Sequence, residues 1–226
     1  MFEKFFVLYI SVIVPATALI PLVAGLLHFG KLSKPSKIIW NFVLFSAVLN
    51  LTNILLQYVM HNTQFMLHGY TAVEFAMLSA YFACFFTPKQ QKAVAVIAVL
   101  FFIGCVINAM YLQDIGAFNT YTRTLESLIL IGYIIYFQYL QGNKLDTGKW
   151  GDDSNNWLSV GILIYYASSS LMFAFTNYLV AISIRVFEMV WTAHCTILAI
   201  EYILFTIGFR KDIKQRIIKS ALSQQV

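Results

Sequence analysis

The chain has 226 residues, of which 60% are hydrophobic and only 11% are charged, and its formal net charge is +5. Because soluble domains carry about a quarter charged residues, this composition excludes an ordinary soluble domain and indicates a protein solvated mainly by lipid. It also excludes a disordered chain, a disulfide-stabilised secreted domain and an ordinary nucleic-acid-binding domain. The cysteines Cys84, Cys105 and Cys195 lie in apolar segments without a C-x-x-C spacing, so we interpret them as packing residues.

Seven apolar runs, each about long enough to cross a bilayer, follow one another along the chain. Such runs predict helices, because a backbone inside hydrocarbon must satisfy its own hydrogen bonds. We place them at residues 5–29, 38–60, 68–86, 93–112, 120–141, 157–179 and 184–208. The predicted fold is therefore all-α, an integral membrane bundle of seven transmembrane helices spanning residues 1–209, followed by a basic tail at 210–226.

Polar segments separate the predicted helices and set their orientation. Residues 30–37 contain Pro35, residues 87–92 begin with Thr-Pro, and residues 142–156 are rich in Gly, Asp and Asn, which are turn-forming residues. Most lysines and arginines fall in these loops or after residue 209. The positive-inside rule then predicts an extracellular N-terminus and a cytoplasmic C-terminus in the cell (inner) membrane.

The first predicted helix allows a second interpretation. Ala16-Thr17-Ala18 follows an apolar stretch and resembles the cleavage site of a signal peptide. The flanking Glu3-Lys4 carries no net positive charge, however, and the apolar run continues past the site. We therefore expect a retained helix that is bent at Pro15 and Pro21.

Glutamates recur near the start of the third, fifth and seventh predicted helices. Segments 70–75, 121–127 and 183–189 place Glu74, Glu126 and Glu188 one or two turns inside the outer surface, at spacings that resemble a repeat. Internal repeats are common in transport folds. The chain can thus be read as one helix plus three related hairpins, although chance similarity of short boundary motifs is a competing explanation.

The charged residues within the predicted helices are the main candidates for a binding site, because charges inside a bilayer usually face a cavity or a protein interior. Arg123 precedes Glu126 by three residues, as Arg185 precedes Glu188, so each pair shares a helix face. One interpretation is that each pair neutralises itself at the outer interface. The other is that these side chains line an outward-facing cavity for a small polar or charged ligand. The predicted lining is Glu74, Arg123, Glu126, Arg185 and Glu188, with Tyr70, Tyr121 and Trp191 beside them.

His194 and Glu201 are seven positions apart and share a face of the last predicted helix. We consider them candidates for a proton relay, against the alternative that Glu201 reaches the cytoplasm or pairs with a loop lysine. At 100° per residue, Arg185 points about 180° away from His194 and about 160° away from Glu201. His61, His68 and Glu74 form a possible metal site without a characteristic spacing, so no metal or cofactor is predicted.

The basic tail after residue 209 has helical spacing of its apolar residues. Ile213, Ile217, Ala221 and Leu222 fall on one face, with lysines and arginines elsewhere. This pattern predicts an amphipathic helix on the anionic inner leaflet. Its role is either anchoring the topology or docking a cytoplasmic protein partner.

Seven helices with an extracellular N-terminus resemble rhodopsins and G-protein-coupled receptors in number and orientation only. The last predicted helix has no lysine for a retinal Schiff base, and the Asp-Arg-Tyr and Asn-Pro-x-x-Tyr motifs are absent. Hydrolase and phosphate-loop motifs are absent as well. We therefore expect a sensor-like or receptor-like protein rather than an enzyme. A proton- or cation-coupled transporter is the alternative, and a metal-dependent intramembrane hydrolase is a third.

Overall fold

A computed structural model describes residues 8–60, 62–143 and 149–223, with side chains described as far as residue 219. These residues form helices joined by short loops, without a strand among them, so the predicted all-α class is confirmed. The helices follow the predicted runs in order. They are α1 (Tyr9–Leu26), α2 (Lys34–Gln57), α3 (Phe65–Ala83), α4 (Pro88–Leu112), α5 (Thr120–Gly142), α6 (Ser154–Ile182) and α7 (Ile184–Ser223).

Five of these helices, namely α1, α2, α4, α6 and α7, are long and apolar enough to cross a membrane. This finding is consistent with a membrane protein. Within the described ranges α3 and α5 do not meet the same requirement, although both have the expected positions along the chain. Both carry charged residues that are fully or almost fully buried, and those charges lower their mean hydropathy.

Six of the helices form a closed ring. Going around it, α1 contacts α2, α2 contacts α3, α3 contacts α5, α5 contacts α6, α6 contacts α7, and α7 returns to α1. The contacts of α4 are mainly with α3, and a smaller number are with α5. We call this arrangement the six-helix ring, with α4 as a peripheral helix.

Local sequence signals explain where three of the helices begin. The Ser33 hydroxyl accepts a hydrogen bond from the Ser36 backbone N–H at 3.4 Å, and Pro35 occupies the first turn of α2. Thr87 and Gln90 form a capping box at the start of α4. Asp153 caps α6 by accepting the Asn155 backbone N–H at 2.9 Å. These helices therefore begin within the loop segments that the sequence predicts between the apolar runs.

The first helix is not regular. It begins with a π-helical turn at Tyr9–Ile13 and is interrupted at Ala18, between Pro15 and Pro21. Each proline lacks the N–H that a regular helix would use, and the interruption falls in the segment where we expected the bend. Further along α1, Gly25 lies against α2, where an added Cβ would be only 2.3 Å from Cδ1 of Trp40. The Trp40 indole N–H donates to the Leu22 carbonyl at 3.0 Å.

Hydrogen bonds between loops distinguish the two ends of the bundle. At one end the Ser33 N–H donates to the Asp212 carboxylate at 2.7 Å, and Lys211 pairs with Asp152 at 3.1 Å. The loops between α1 and α2, α3 and α4, and α5 and α6 lie there together with the second half of α7, and we call this the basic end. At the opposite end, Asn62 donates to the Gly116 carbonyl at 2.8 Å, which joins the α2–α3 and α4–α5 loops.

The basic tail is the continuation of α7 rather than a separate helix. No break falls between residues 209 and 210, and the helix extends to Ser223. Asp212 and Ile213 are buried against the bundle, whereas Ile217 and Ile218 are about half exposed. The first turns of the tail are therefore docked on the α1–α2 and α5–α6 loops.

Candidate functional site

A buried ion-pair cluster lies where α3, α5 and α6 meet. The Arg123 guanidinium on α5 donates through one terminal nitrogen to Glu74 on α3 and to Glu126 one helical turn further along α5, the latter at 3.0 Å. Its other terminal nitrogen donates to the Tyr165 hydroxyl of α6 at 3.1 Å. Arg123 is 2% exposed and both glutamates are fully buried. We call Glu74, Arg123 and Glu126, with the tyrosines that bond to them, the Arg123 cluster.

Tyrosine hydroxyls complete the coordination of Glu74. Tyr70, one turn earlier on α3, donates to its Oε1 at 3.1 Å, and Tyr166 of α6 donates to the same oxygen. Tyr70 also shares a hydrogen bond of 2.9 Å with Ser46, which brings α2 into the network. Burying an ion pair costs more than its attraction returns unless further hydrogen bonds are made. These tyrosines supply those bonds for Glu74.

Asn119, just before α5, holds α3 and α5 in register at the opposite end. Its amide donates to the Thr71 hydroxyl of α3 at 3.1 Å, and its carbonyl accepts from Asn108 at 3.2 Å. His68 of α3 contacts the Ala117 carbonyl at 3.3 Å through Nε2. Thr71 is one turn from Glu74 on α3, and Asn119 is one turn from Arg123. Our sequence analysis missed Asn119, whose position immediately before a helix was the available signal.

The wall of the Arg123 cluster faces a cavity of about 430 Å³ inside the six-helix ring. Every ring helix contributes to the lining, which includes Glu74 of α3, Arg123 of α5 and several residues of α7. Near the opposite end the lining includes Gln57, Thr63 and Gln64, so the cavity lies towards that end. This volume is in the range of about 300–1,000 Å³ that is typical of small-molecule sites.

Aromatic side chains form a second part of the cavity lining. Tyr165 stacks on His194 with ring centroids 5.1 Å apart, and Phe173 packs edge-on against Trp191 at 6.2 Å. The Arg123 guanidinium lies 5.1 Å from the centre of the Phe173 ring. We call Tyr165, Phe173, Trp191 and His194 the aromatic wall. The Arg123 cluster and the aromatic wall are contiguous, and together they offer charge, hydrogen-bonding groups and ring faces to one small volume.

Glu201 lies deep in the same cavity. Its side chain comes from α7, is 1% exposed, and neither carboxylate oxygen has a hydrogen-bond partner among the described residues. Along α7, the lining ends at Glu201 and the adjacent Tyr202. Further towards the basic end, Phe205 and Phe209 of α7 are fully buried, so apolar packing follows the last polar group of the cavity.

The predicted lining is only partly assembled in one place. Glu74, Arg123, Tyr70 and Trp191 line the cavity, and Glu126 lies behind Arg123, outside the lining. His194 and Glu201, predicted as a relay, also line the cavity, but the hydrogen bond of His194 is to Ser168 at 2.8 Å.

Arg185, Glu188 and Tyr121 do not line the cavity, contrary to our expectation. Arg185 is exposed at the very start of α7, and neither it nor Glu188 forms an ion pair within the described part of the chain. Tyr121 is 59% exposed, because it lies on the face of α5 directed away from the ring. The three glutamates of the suspected repeat are therefore not equivalent, since only Glu74 and Glu126 meet.

Of the possible metal site of His61, His68 and Glu74, the structure describes only His68 and Glu74. His61 lies outside the described residues, and both Glu74 oxygens are occupied by Arg123 and the tyrosines. In the ranges that the structure covers, no three His, Cys, Asp or Glu side chains gather closely enough to hold a metal ion.

Comparison with protein-family models, with curated proteins and with solved structures finds no match to this chain.

Proposed function

We propose that this protein is a seven-span membrane protein that binds a small polar or charged ligand in the cavity of the six-helix ring and acts as a sensor-like module. The observation that carries the proposal is the cavity itself, which combines a buried ion pair, an aromatic wall and an unpartnered carboxylate. Small-molecule sites typically consist of an apolar pocket with a few convergent polar groups.

The proposed topology counts α3 and α5 as membrane crossings. The apolar helix α2 ends at the opposite end of the bundle, whereas α4 starts at the basic end, and α3 connects them through short loops. If α2 and α4 both cross, α3 must cross between them. The same argument applies to α5 between α4 and α6. The positive-inside rule places the basic end in the cytoplasm and the cavity towards the outside.

Labelling of single cysteines tests this topology. In a variant lacking the three native cysteines, we expect Thr63→Cys and Asp114→Cys to react with a membrane-impermeant maleimide in intact cells. Thr87→Cys and Lys149→Cys should react only after permeabilisation. If Thr63→Cys and Thr87→Cys reacted equally in intact cells, the result would contradict an odd number of membrane crossings between residues 63 and 87.

The shape of the cavity favours sensing over transport. A transporter needs a polar route to both faces, but the cavity lining stops at Glu201 and Tyr202, and the buried Phe205 and Phe209 come next. In contrast, α7 is one continuous helix of 40 residues that joins the cavity wall to the docked tail. A helix of that length is about 60 Å long. We propose that ligand contacts with α7 change how the tail is docked at the basic end.

Ligand screening with a cavity-filling variant tests the binding function. Detergent-purified protein is screened by thermal shift against panels of amines, amino acids and phosphates. Leu49→Trp places a large ring in the cavity lining, whereas Leu51→Trp changes an exposed position of the same helix. We expect at least one compound class to raise the Tm of the wild type and of Leu51→Trp but not that of Leu49→Trp. Identical responses of the two variants would contradict the proposal.

A further inference from the structure

We infer that the ligand of this cavity carries a protonated amine, which pairs with Glu201 while the organic part of the ligand packs on the aromatic wall. The inference rests on the proposed function and specifies the chemical class of the ligand. Glu201 is a buried, cavity-lining carboxylate without a hydrogen-bond partner in the described ranges. A buried polar group left without a partner is costly, so a cationic donor reaching Glu201 would relieve that cost.

The charges around the cavity select against an anion. Glu74, Glu126 and Glu201 all lie within electrostatic range of one guanidinium, that of Arg123. Arg123 already donates through its terminal nitrogens to both neighbouring glutamates and to Tyr165, and its Nε has no partner in the described structure. An anionic ligand would therefore compete with two carboxylates for this one guanidinium. A cation instead meets a carboxylate to which no described residue is bonded.

The surroundings of Glu201 suit an organic cation better than a metal ion. Hard metal cations require several oxygen ligands, and no cluster of three acidic, histidine or cysteine side chains occurs in the described part of the chain. The neighbouring lining is aromatic instead, with Tyr202 adjacent in sequence and Tyr165 within electrostatic range of Glu201. Ring faces attract ammonium groups and pack against apolar substituents.

The spacing of residues along α7 aligns the carboxylate of Glu201 with aromatic side chains of the cavity lining. Trp191, His194, Leu198 and Glu201 are separated by three or four residues, so they form one stripe along the cavity face of the helix. Glu201 is at the deep end of this stripe and Trp191 is near the opposite end. A ligand that places its ammonium group at Glu201 would extend its apolar part towards Trp191.

Three probes of nearly equal shape and different charge test the inference. They are 2-phenylethylamine, 2-phenylethanol and phenylacetate, measured by isothermal titration with the full-length protein in detergent. We expect the amine to bind at least tenfold more tightly than the alcohol and the acid. Glu201→Gln should weaken amine binding by roughly tenfold to a hundredfold, which is the range for loss of a hydrogen bond to a charged group. Glu188→Gln is the matched control, because Glu188 is on the same helix but outside the cavity lining.

The possible outcomes separate this inference from the proposed function. Selective amine binding that is lost in Glu201→Gln and retained in Glu188→Gln supports the inference. Tighter binding of phenylacetate or the alcohol, or unchanged amine binding in Glu201→Gln, would overturn the inference while leaving a ligand-binding cavity. If none of the three probes binds, and the Leu49→Trp and Leu51→Trp variants respond identically to the wider panels, the proposed function fails as well.

Discussion

Removing the guanidinium of Arg123 should strongly destabilise the protein. In Arg123→Gln, the buried carboxylates of Glu74 and Glu126 lose their shared cation, and Tyr165 loses a donor. Breaking a buried ion pair by removing one partner costs about 3–5 kcal/mol. In a protein of 226 residues, each kcal/mol lowers Tm by about 2–4 °C. We therefore expect Tm to fall by roughly 6–20 °C.

The measurement is thermal unfolding of detergent-purified variants, followed by intrinsic fluorescence in one detergent at fixed concentration. Arg185→Gln is the matched control, since Arg185 also precedes a glutamate by three residues but is exposed and forms no ion pair with a described residue. Its Tm should change by no more than about 2 °C, as is usual for surface substitutions. Similar losses in both variants would refute a special role for the Arg123 cluster.

A compensating variant separates the loss of charge balance from the loss of packing. Adding Glu74→Gln and Glu126→Gln to Arg123→Gln removes the uncompensated carboxylates, so part of the lost Tm should return. If the triple variant is no more stable than Arg123→Gln alone, the buried charges do not cause the destabilisation, and the reasoning is wrong.

Three further predictions concern other parts of the bundle. Gly25→Ala should lower the free energy of unfolding by about 1–3 kcal/mol, because the added Cβ would collide with Trp40. Gly104→Ala should raise the free energy of unfolding by up to about 1 kcal/mol, because no neighbouring atom lies within 4 Å of the added Cβ. Unfolding measurements on both variants check these two values. Asp212→Ala removes the acceptor of the Ser33 N–H, so limited proteolysis should cleave the tail faster than in the wild type. In the ligand-free protein the Tm of Glu201→Gln should rise relative to that of the wild type as the pH is raised, because ionising an unpartnered buried carboxyl is costly whereas the amide carries no charge.

The candidate site was only partly predictable from the sequence. The spacing of Arg123 and Glu126 places them on one face, and that pair is present. Their third partner, Glu74, depends on which helices are neighbours, and no local pattern specifies that α3 packs against α5. The absence of Arg185 from the cavity lining could have been predicted, since helical geometry directs it away from His194 and Glu201. Because the three motifs around Glu74, Glu126 and Glu188 are similar in sequence, the sequence did not indicate which of them would be buried.

The two helices of low hydropathy, α3 and α5, both contact α4. In a lipid-solvated bundle only surfaces that face hydrocarbon must be apolar, whereas polar residues are tolerated where other helices cover them. The peripheral helix α4 contacts α3 and α5, the two helices that fall short of the span requirement. Only 22% of the residues in its most apolar stretch are buried, as in α1 and α2, in contrast to 50% in α6. We therefore interpret α4 as covering part of the outer surfaces of α3 and α5, so that the mean hydropathy of a helix in this bundle reflects how much of it other helices cover.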